Sequence, residues 1–219
     1  MDYFAGSSLS SRIVGSVNSS YALAMIYLAS QSPRRAELLQ QIGVEYQVYD
    51  GAIDETKLDS ESPEEYVTRM AETKARVAFT AIAKTQASAV VLAADTTIAI
   101  DGEIIGKPVD RDDCCRILRR LSGRQHLVLT AVALAGGNLL ESRLTRNQVS
   151  FRVLRASEIA AYCASREPMD KAGAYAIQGK AAVFVERLEG SYSAVMGLPL
   201  FETAELLRKA GIEIFDNDD

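Results

Sequence analysis

The chain has 219 residues, 48% of them hydrophobic and 24% charged, with a mean hydropathy of +0.01. That is enough apolar material for one domain or for two lobes around a cleft, and no apolar run reaches the roughly 18 residues a membrane span needs. A net charge of −5 and a pI near 5.1 argue against a general nucleic-acid binder. Basic residues are therefore expected to act locally, on small anions.

Residues 1–24 are Ser-rich and weakly apolar, with no sustained period. A signal peptide opens basic and continues apolar, and Asp2 and the scattered serines do not fit that. The segment reads as a disordered leader, carried over from expression or from a mis-assigned start, with Met25 as the natural beginning. Ile26 to Ala29 reads as a short buried strand. Ser32 is placed to cap a helix that starts at Pro33 and shows Leu38, Leu39 and Ile42 before Gly43 stops it. Ser62-Pro63-Glu64-Glu65 matches a capping box. The helix it opens carries Tyr66, Met70, Val77 and Ile82 as its apolar spacing, up to about Lys84.

Ala89 to Ala94 is a wholly apolar strand, and Asp95 stands directly after it. Asp101-Gly102, between Thr97–Ile100 and Glu103–Ile105, is a hairpin signal. Asp110 caps a helix through Leu121. Long strands over about 126–135 and 139–154 follow, joined at Gly136-Gly137-Asn138. Ser157 is placed to cap a helix to about Ala164, residues 181–188 read as a strand, and Pro199 starts a last helix that stops at Gly211. The DNDD tail reads as frayed. Strands and helices alternate without a clean βαβ period, which favours a mixed α/β sheet in a single domain over residues 25–219. The standard glycine-rich nucleotide cradles are absent.

The cysteines Cys114, Cys115 and Cys163 are odd in number and two are neighbours. They read as reduced packing residues of a cytoplasmic protein. With His126 the single histidine, any metal is expected on oxygen ligands, as magnesium or manganese.

Several segments carry chemistry. In Ser30-Gln31-Ser32-Pro33-Arg34-Arg35, hydroxyls and two guanidiniums meet a helix N-terminus, a setting that attracts phosphate. A plain capped helix with solvated arginines is the alternative. Asp95, read at a strand end, suits a general base or a metal ligand, or simply a turn. Lys74, Lys107 and Glu55 are equally ambiguous: polyphosphate or metal partners, or solvated side chains. Asp170 to Gly179 and Gly190 to Pro199 combine glycines with polar groups that allow close approach of a ligand, with Gln178 able to meet a base edge.

Taken in order, SxSPRR, ADT, GKP, DKAGAYxIQG and GSYxxVxGLP resemble the Maf proteins, over about residues 26–212. The resemblance implies an elongated mixed sheet with flanking helices and a deep cleft between two lobes, similar to the inosine triphosphate pyrophosphatases. It implies a homodimer; the acidic balance and the lack of a long apolar run read against nucleic-acid and membrane partners, and the cysteines read as cytoplasmic. The implied activity is hydrolysis of a nucleoside triphosphate to NMP and pyrophosphate with a divalent cation, Mg or Mn. Asp95 falls on the family's proton acceptor, Ser30, Arg34, Arg35, Lys74 and Lys107 on its phosphate-binding positions, and Glu55, with Asp95, on the metal side. Arg35, Thr96 and Gln178 match the branch that acts on dTTP and UTP, with CTP and modified pyrimidines as further substrates. Thr97 in place of Ile and Ala176 in place of Gly depart from the usual pattern. The rival readings are a non-catalytic nucleotide-binding regulator of cell division and a different phosphate enzyme.

Overall fold

A computed structural model describes residues 25–215; the expectations placed on residues 1–24 and on the C-terminal DNDD lie outside it. Its strands are β1 (Ile26–Leu28), β2 (Gln47–Val48), β3 (Val90–Ile100), β4 (Glu103–Ile105), β5 (Gln125–Gly136), β6 (Leu139–Phe151) and β7 (Val185–Glu189). They form one mixed sheet in the order β2-β1-β3-β5-β6-β7, with β4 also on β3. β1 runs parallel to β2 and β3, and the remaining pairs are antiparallel. The helices are α1 (Pro33–Gln41), α2 (Pro63–Ile82), α3 (Arg111–Leu121), α4 (Ala156–Ala164), α5 (Tyr192–Met196) and α6 (Leu200–Lys209). No helix among the described residues is long and apolar enough to cross a membrane.

The α2 helix covers one face of the sheet. Its buried stripe is Val67, Ala71, Ala75, Ala78 and Ile82, set against the alanine-rich surface of Val91, Ala93, Ala131 and Ala133. The Ser62 hydroxyl accepts from Glu65 N and the Glu65 carboxylate from Ser62 N, so the capping box forms as expected and contributes about 1 kcal/mol. Two of the residues read as its apolar stripe are placed otherwise: Tyr66 and Val77 border the cleft described below.

The opposite face carries two separate cores. Near β1, Leu38 and Leu39 of α1 and Leu206 and Leu207 of α6 pack on Leu92, Val132 and Leu134. At the other end, Ile117, Leu118 and Leu121 of α3, with Tyr162 of α4, pack on Ile98, Val128, Val149 and Phe151. The break between them falls on polar side chains: Thr96 and Thr130 are paired residues of β3 and β5, lying between Ala94/Val132 and Ile98/Val128. A sheet long enough to serve both cores, with threonines at the seam, makes the two lobes.

Four further expectations need correction. Asp95 is inside β3, not after a strand, because β3 pairs with β5 without interruption from Val91↔Ala135 to Ala99↔Leu127; β-branched Thr96 and Thr97 suit that extended run. Residues 180–184 form a 3₁₀ turn before β7, closed by Ala182 N donating to Gly179 O and holding Phe184 in the aromatic cluster. The α4 helix starts at Ala156 rather than after Ser157: Arg155 is its cap, and its N–H donates to Glu158 Oε2 at 2.9 Å. Cys114 and Cys163 are bonded across the packed α3 and α4, with Cα atoms 6.0 Å apart, and only Cys115 is free among the described residues. Counting cysteines along the chain does not reveal that two helices 49 residues apart face each other.

His126 is buried at the start of β5, its Nε2 2.9 Å from Tyr175 Oη and its ring edge-on to Phe151 and Tyr175. Burial pulls its pKa from the usual 6.5 to about 4. Below pH 6.5 the unfolded chain therefore takes up a proton that the folded chain refuses, so stability falls as the pH drops towards 4. Urea unfolding should show this site costing about 2 kcal/mol between pH 7 and pH 5. His126→Gln should flatten that part of the profile by the same amount, and an unchanged slope would contradict the assignment.

Candidate active site

The β3 strand has one fully paired edge and one interrupted edge. On the interrupted side it meets β1 only through Leu92 and β4 only from Ile98. Ala29 N donates to Leu92 O, and Val90 N to Met25 O, so even-numbered residues direct their main-chain groups to that side. By the period of two, Ala94 and Thr96 present theirs to the gap. A cleft of about 890 Å³ lies there, bordered by the loop after β1, α2, and the segments around residues 106, 175 and 196.

Because side chains alternate across a strand, Asp95 and Thr96 serve opposite faces of the gap. Asp95 points to the α2 side. Lys74 Nζ donates to Asp95 Oδ1 at 2.7 Å and pairs with Glu55 Oε1, also at 2.7 Å. Lys74 and Asp95 are largely buried, with side-chain exposures of 18% and 15%, whereas Glu55 is 55% exposed. The Lys74 hydrogen bond holds the Glu55 carboxyl below its ordinary pKa against the opposing effect of burial, and Lys107 and Arg35 add to the lowering. Tyr66 Oη donates to Glu55 O at 3.1 Å. Burial, and then the charges of Asp95 and Glu55, push the Tyr66 phenol up.

Thr96 points to the α1 side and meets Arg35. The guanidinium donates through Nε to Gly197 O at 2.7 Å, through Nη1 to Ser30 Oγ at 3.1 Å and through Nη2 to Thr96 Oγ1 at 3.2 Å. Three of its five N–H groups are thereby used, and two remain for a ligand. Burial draws the Arg35 pKa down while Asp95 opposes this. Thr130 Oγ1 donates to Ala194 O at 2.7 Å and lies 3.1 Å from Thr96 Oγ1. A hydroxyl has one proton, so the Thr96–Thr130 contact takes its proton from Thr96. Ser30 Oγ also accepts from Ser32 N, while Ser32 itself makes no side-chain cap to α1.

The other expected residues border the cleft without joining these two clusters. Arg34 Nη1 is 3.8 Å from Asp170 Oδ2 across the mouth, a partly solvated pair worth little by itself. Lys107 follows β4 on a loop tied down by Gly173 N donating to Gly106 O at 3.0 Å. Gly173 has φ +70°, and a Cβ there would stand 2.4 Å from Ile98 Cδ1, so glycine is needed for this approach. Gln178 is exposed in the cleft, and its side chain makes no hydrogen bond among the described residues. Tyr66 and Thr130 are additions to the expected site, whereas the Gly197 carbonyl belongs to the Gly190–Pro199 segment already read as approaching a ligand. A signal for Thr130 exists: it is the one polar residue in the run Leu127–Ala135.

Among the described residues no three His, Cys, Asp or Glu side chains cluster as a metal-binding set. Glu55 and Asp95 offer two carboxylates to one point, since each has an oxygen 2.7 Å from the same Nζ. Such a pair suits a hard divalent ion that takes its remaining ligands from water and substrate phosphates.

The family model described as "Maf-like protein" matches residues 25–210, and this chain belongs to the Maf family. The chain is 51% identical over 198 residues to the dTTP/UTP pyrophosphatase of Aromatoleum aromaticum, covering 86% of this chain and 96% of the relative. It is 49% identical to the dTTP/UTP pyrophosphatase of Methylobacillus flagellatus, covering 86% and 94% of the two chains. To that of Burkholderia lata it is 50% identical, covering 85% and 93%. A solved structure, that of the Staphylococcus aureus Ham1 protein, aligns over 58% of this chain and 70% of its own at 18% identity, with a TM-score of 0.39, too low to bear on the fold.

The shared ammonium makes a direct prediction. Lys74→Met should raise the Glu55 pKa, because the largest lowering contribution is removed and the two carboxylates are left facing each other. Carboxyl NMR titration would read the shift. A Glu55 titration that stayed in place would mean that Lys74 does not hold the carboxylate.

Proposed function

We propose that the chain is a pyrimidine nucleoside triphosphate pyrophosphatase, taking dTTP or UTP, with CTP and modified pyrimidines as further substrates, to the nucleoside monophosphate and pyrophosphate. The observation that carries this reading is the buried Asp95–Lys74 pair at an open strand edge, directly behind the Arg35–Ser30–Thr96 cluster. The three relatives, each a dTTP/UTP pyrophosphatase by name, support it. They favour an enzyme over a non-catalytic regulator of cell division.

In this mechanism Arg34, Arg35, Lys107 and the hydroxyl of Ser30 receive the triphosphate oxygens, guanidiniums acting as paired donors. Arg35 is held from three sides and is thus preorganised, so little ordering accompanies binding. Lys74 is near enough to carry its charge from the carboxylates to a phosphate when the nucleotide arrives. Asp95 accepts the proton of a water whose oxygen attacks the α-phosphorus, and the bond from that phosphorus to the β-bridging oxygen breaks, releasing pyrophosphate. Glu55 and Asp95 would hold a divalent cation, Mg or Mn, which when bound neutralises charge on the phosphates. Gln178 faces the base, and Thr96 steadies the Arg35 guanidinium. The family resemblance supports a homodimer.

A product assay with dTTP, UTP, CTP, GTP and 7-methyl-GTP, in Mg or Mn, tests the reaction. Pyrophosphate with TMP or UMP is expected; orthophosphate with a diphosphate would contradict the reaction class. Asp95→Asn should bind nucleotide and lose turnover by roughly 10²–10⁴-fold, the usual size of a general-base contribution. Undiminished turnover would remove Asp95 from this role.

A further inference from the structure

Gln178 reaches into the cleft unaided by any side-chain hydrogen bond of its own, yet the backbone on either side of it is tightly held. Ala176 N donates to Tyr162 Oη at 3.2 Å. That hydroxyl donates in turn to Glu167 Oε1 at 3.0 Å, and the same carboxylate oxygen accepts from Lys180 N at 2.9 Å. Glu167 and Tyr162 thus bracket Gln178 two residues before and two residues after it. Gly179 is packed directly on the carboxylate: a Cβ there would stand 2.2 Å from Glu167 Oε1 and 2.7 Å from its Cδ. Gly179 N donates back to Ala176 O, closing the turn with Gln178 at its tip.

The anchor points away from the reacting centre. Tyr162 is buried against Phe184 in the α3–α4 core, its ring 5.2 Å from that neighbour at 79°. Lys171 Nζ donates to the Glu167 carbonyl at 2.8 Å, fixing the main chain that presents the carboxylate. A rigid core residue therefore supports a carboxylate, and the carboxylate supports the loop.

We infer that Glu167 and Tyr162 are positioning residues that set where the Gln178 carboxamide meets the base, and so govern the choice among nucleobases. The inference rests on the reading that Gln178 faces the base of a pyrimidine nucleotide. Neither residue touches the substrate; each acts through residues 176–180. A side chain at the tip of a turn moves with its backbone, and a shift of about 1 Å is enough to lose an aligned hydrogen bond.

The test measures kcat and KM for UTP and CTP in Gln178→Ala, Tyr162→Phe, Glu167→Ala and Glu167→Gln, and in the double variant Glu167→Ala/Gln178→Ala. Tyr162→Phe removes one oxygen from a buried ring and keeps its packing, so it serves if Glu167→Ala folds poorly. Expected is a rise in KM for UTP of about threefold to tenfold in Tyr162→Phe and Glu167→Ala, the size of one lost hydrogen bond, with kcat within about twofold. The UTP-to-CTP ratio of kcat/KM should narrow as it does in Gln178→Ala. Glu167→Gln keeps an acceptor oxygen for both donors and should restore the parent values. Glu167→Ala should add less than about twofold in the Gln178→Ala background, since residues acting through one group are not additive.

A lowered kcat for both nucleotides at an unchanged ratio, or full additivity in the double variant, would overturn the inference. If Gln178→Ala itself leaves the UTP-to-CTP ratio unmoved, the underlying reading of Gln178 fails and this inference falls with it. If Gln178→Ala changes the ratio while Tyr162→Phe and Glu167→Ala do not, only the positioning role fails.

Discussion

Everything in the site follows from the missing neighbour of β3 between Leu92 and Ile98. A strand that is paired throughout on one edge is rigid, because its other ladder with β5 runs from Val91 to Ala99. Left bare on the second edge, it exposes side chains from both of its faces to a single cleft. Two neighbouring residues, Asp95 and Thr96, consequently reach two different clusters without any loop being needed to carry them. Rigid elements hold functional groups more accurately than loops do.

The two faces have complementary chemistry. On one, Lys74 is set between Glu55 and Asp95, so a buried cation is matched by two carboxylates and neither charge is stranded. Breaking such a pair on one side leaves an uncompensated charge, a loss of several kcal/mol in typical cases. On the other face Arg35 is gripped by Ser30, Thr96 and the Gly197 carbonyl, which joins the strand, the loop after β1 and the turn after α5. The Thr96–Thr130 seam also divides the apolar packing into its two lobes. Thr96 thus belongs both to the grip on the guanidinium and to the seam between the lobes.

How much of this could be read along the chain depended on distance. The capping box at Ser62, the Asp101-Gly102 turn and the short strand before Ser30 are local patterns, and they form as read. A carboxylate after six apolar residues looks like a strand end, so Asp95 reads as lying past one; its pairing with Ala131 is a contact across 36 positions that no local pattern encodes. Tyr66 and Val77 sit at helical spacing and so read as core, whereas half of the buried residues of α2 are alanines. The Cys114–Cys163 bond depends on α3 packing against α4. For Lys74, Glu55 and Lys107 the residues alone leave the functional and the solvated readings open; Lys107 lies in the GKP motif, and Lys74 and Glu55 are singled out only by the family resemblance. The structure brings Lys74 and Glu55 to Asp95 and leaves Lys107 on the cleft wall.

In the proposed mechanism water enters at the α-phosphorus beside Asp95. Hydrolysis of UTP in H₂¹⁸O, followed by mass spectrometry of both products, tests it most directly. One ¹⁸O in UMP and none in pyrophosphate is expected; label in the pyrophosphate would place the attack on the β-phosphorus and exclude that route.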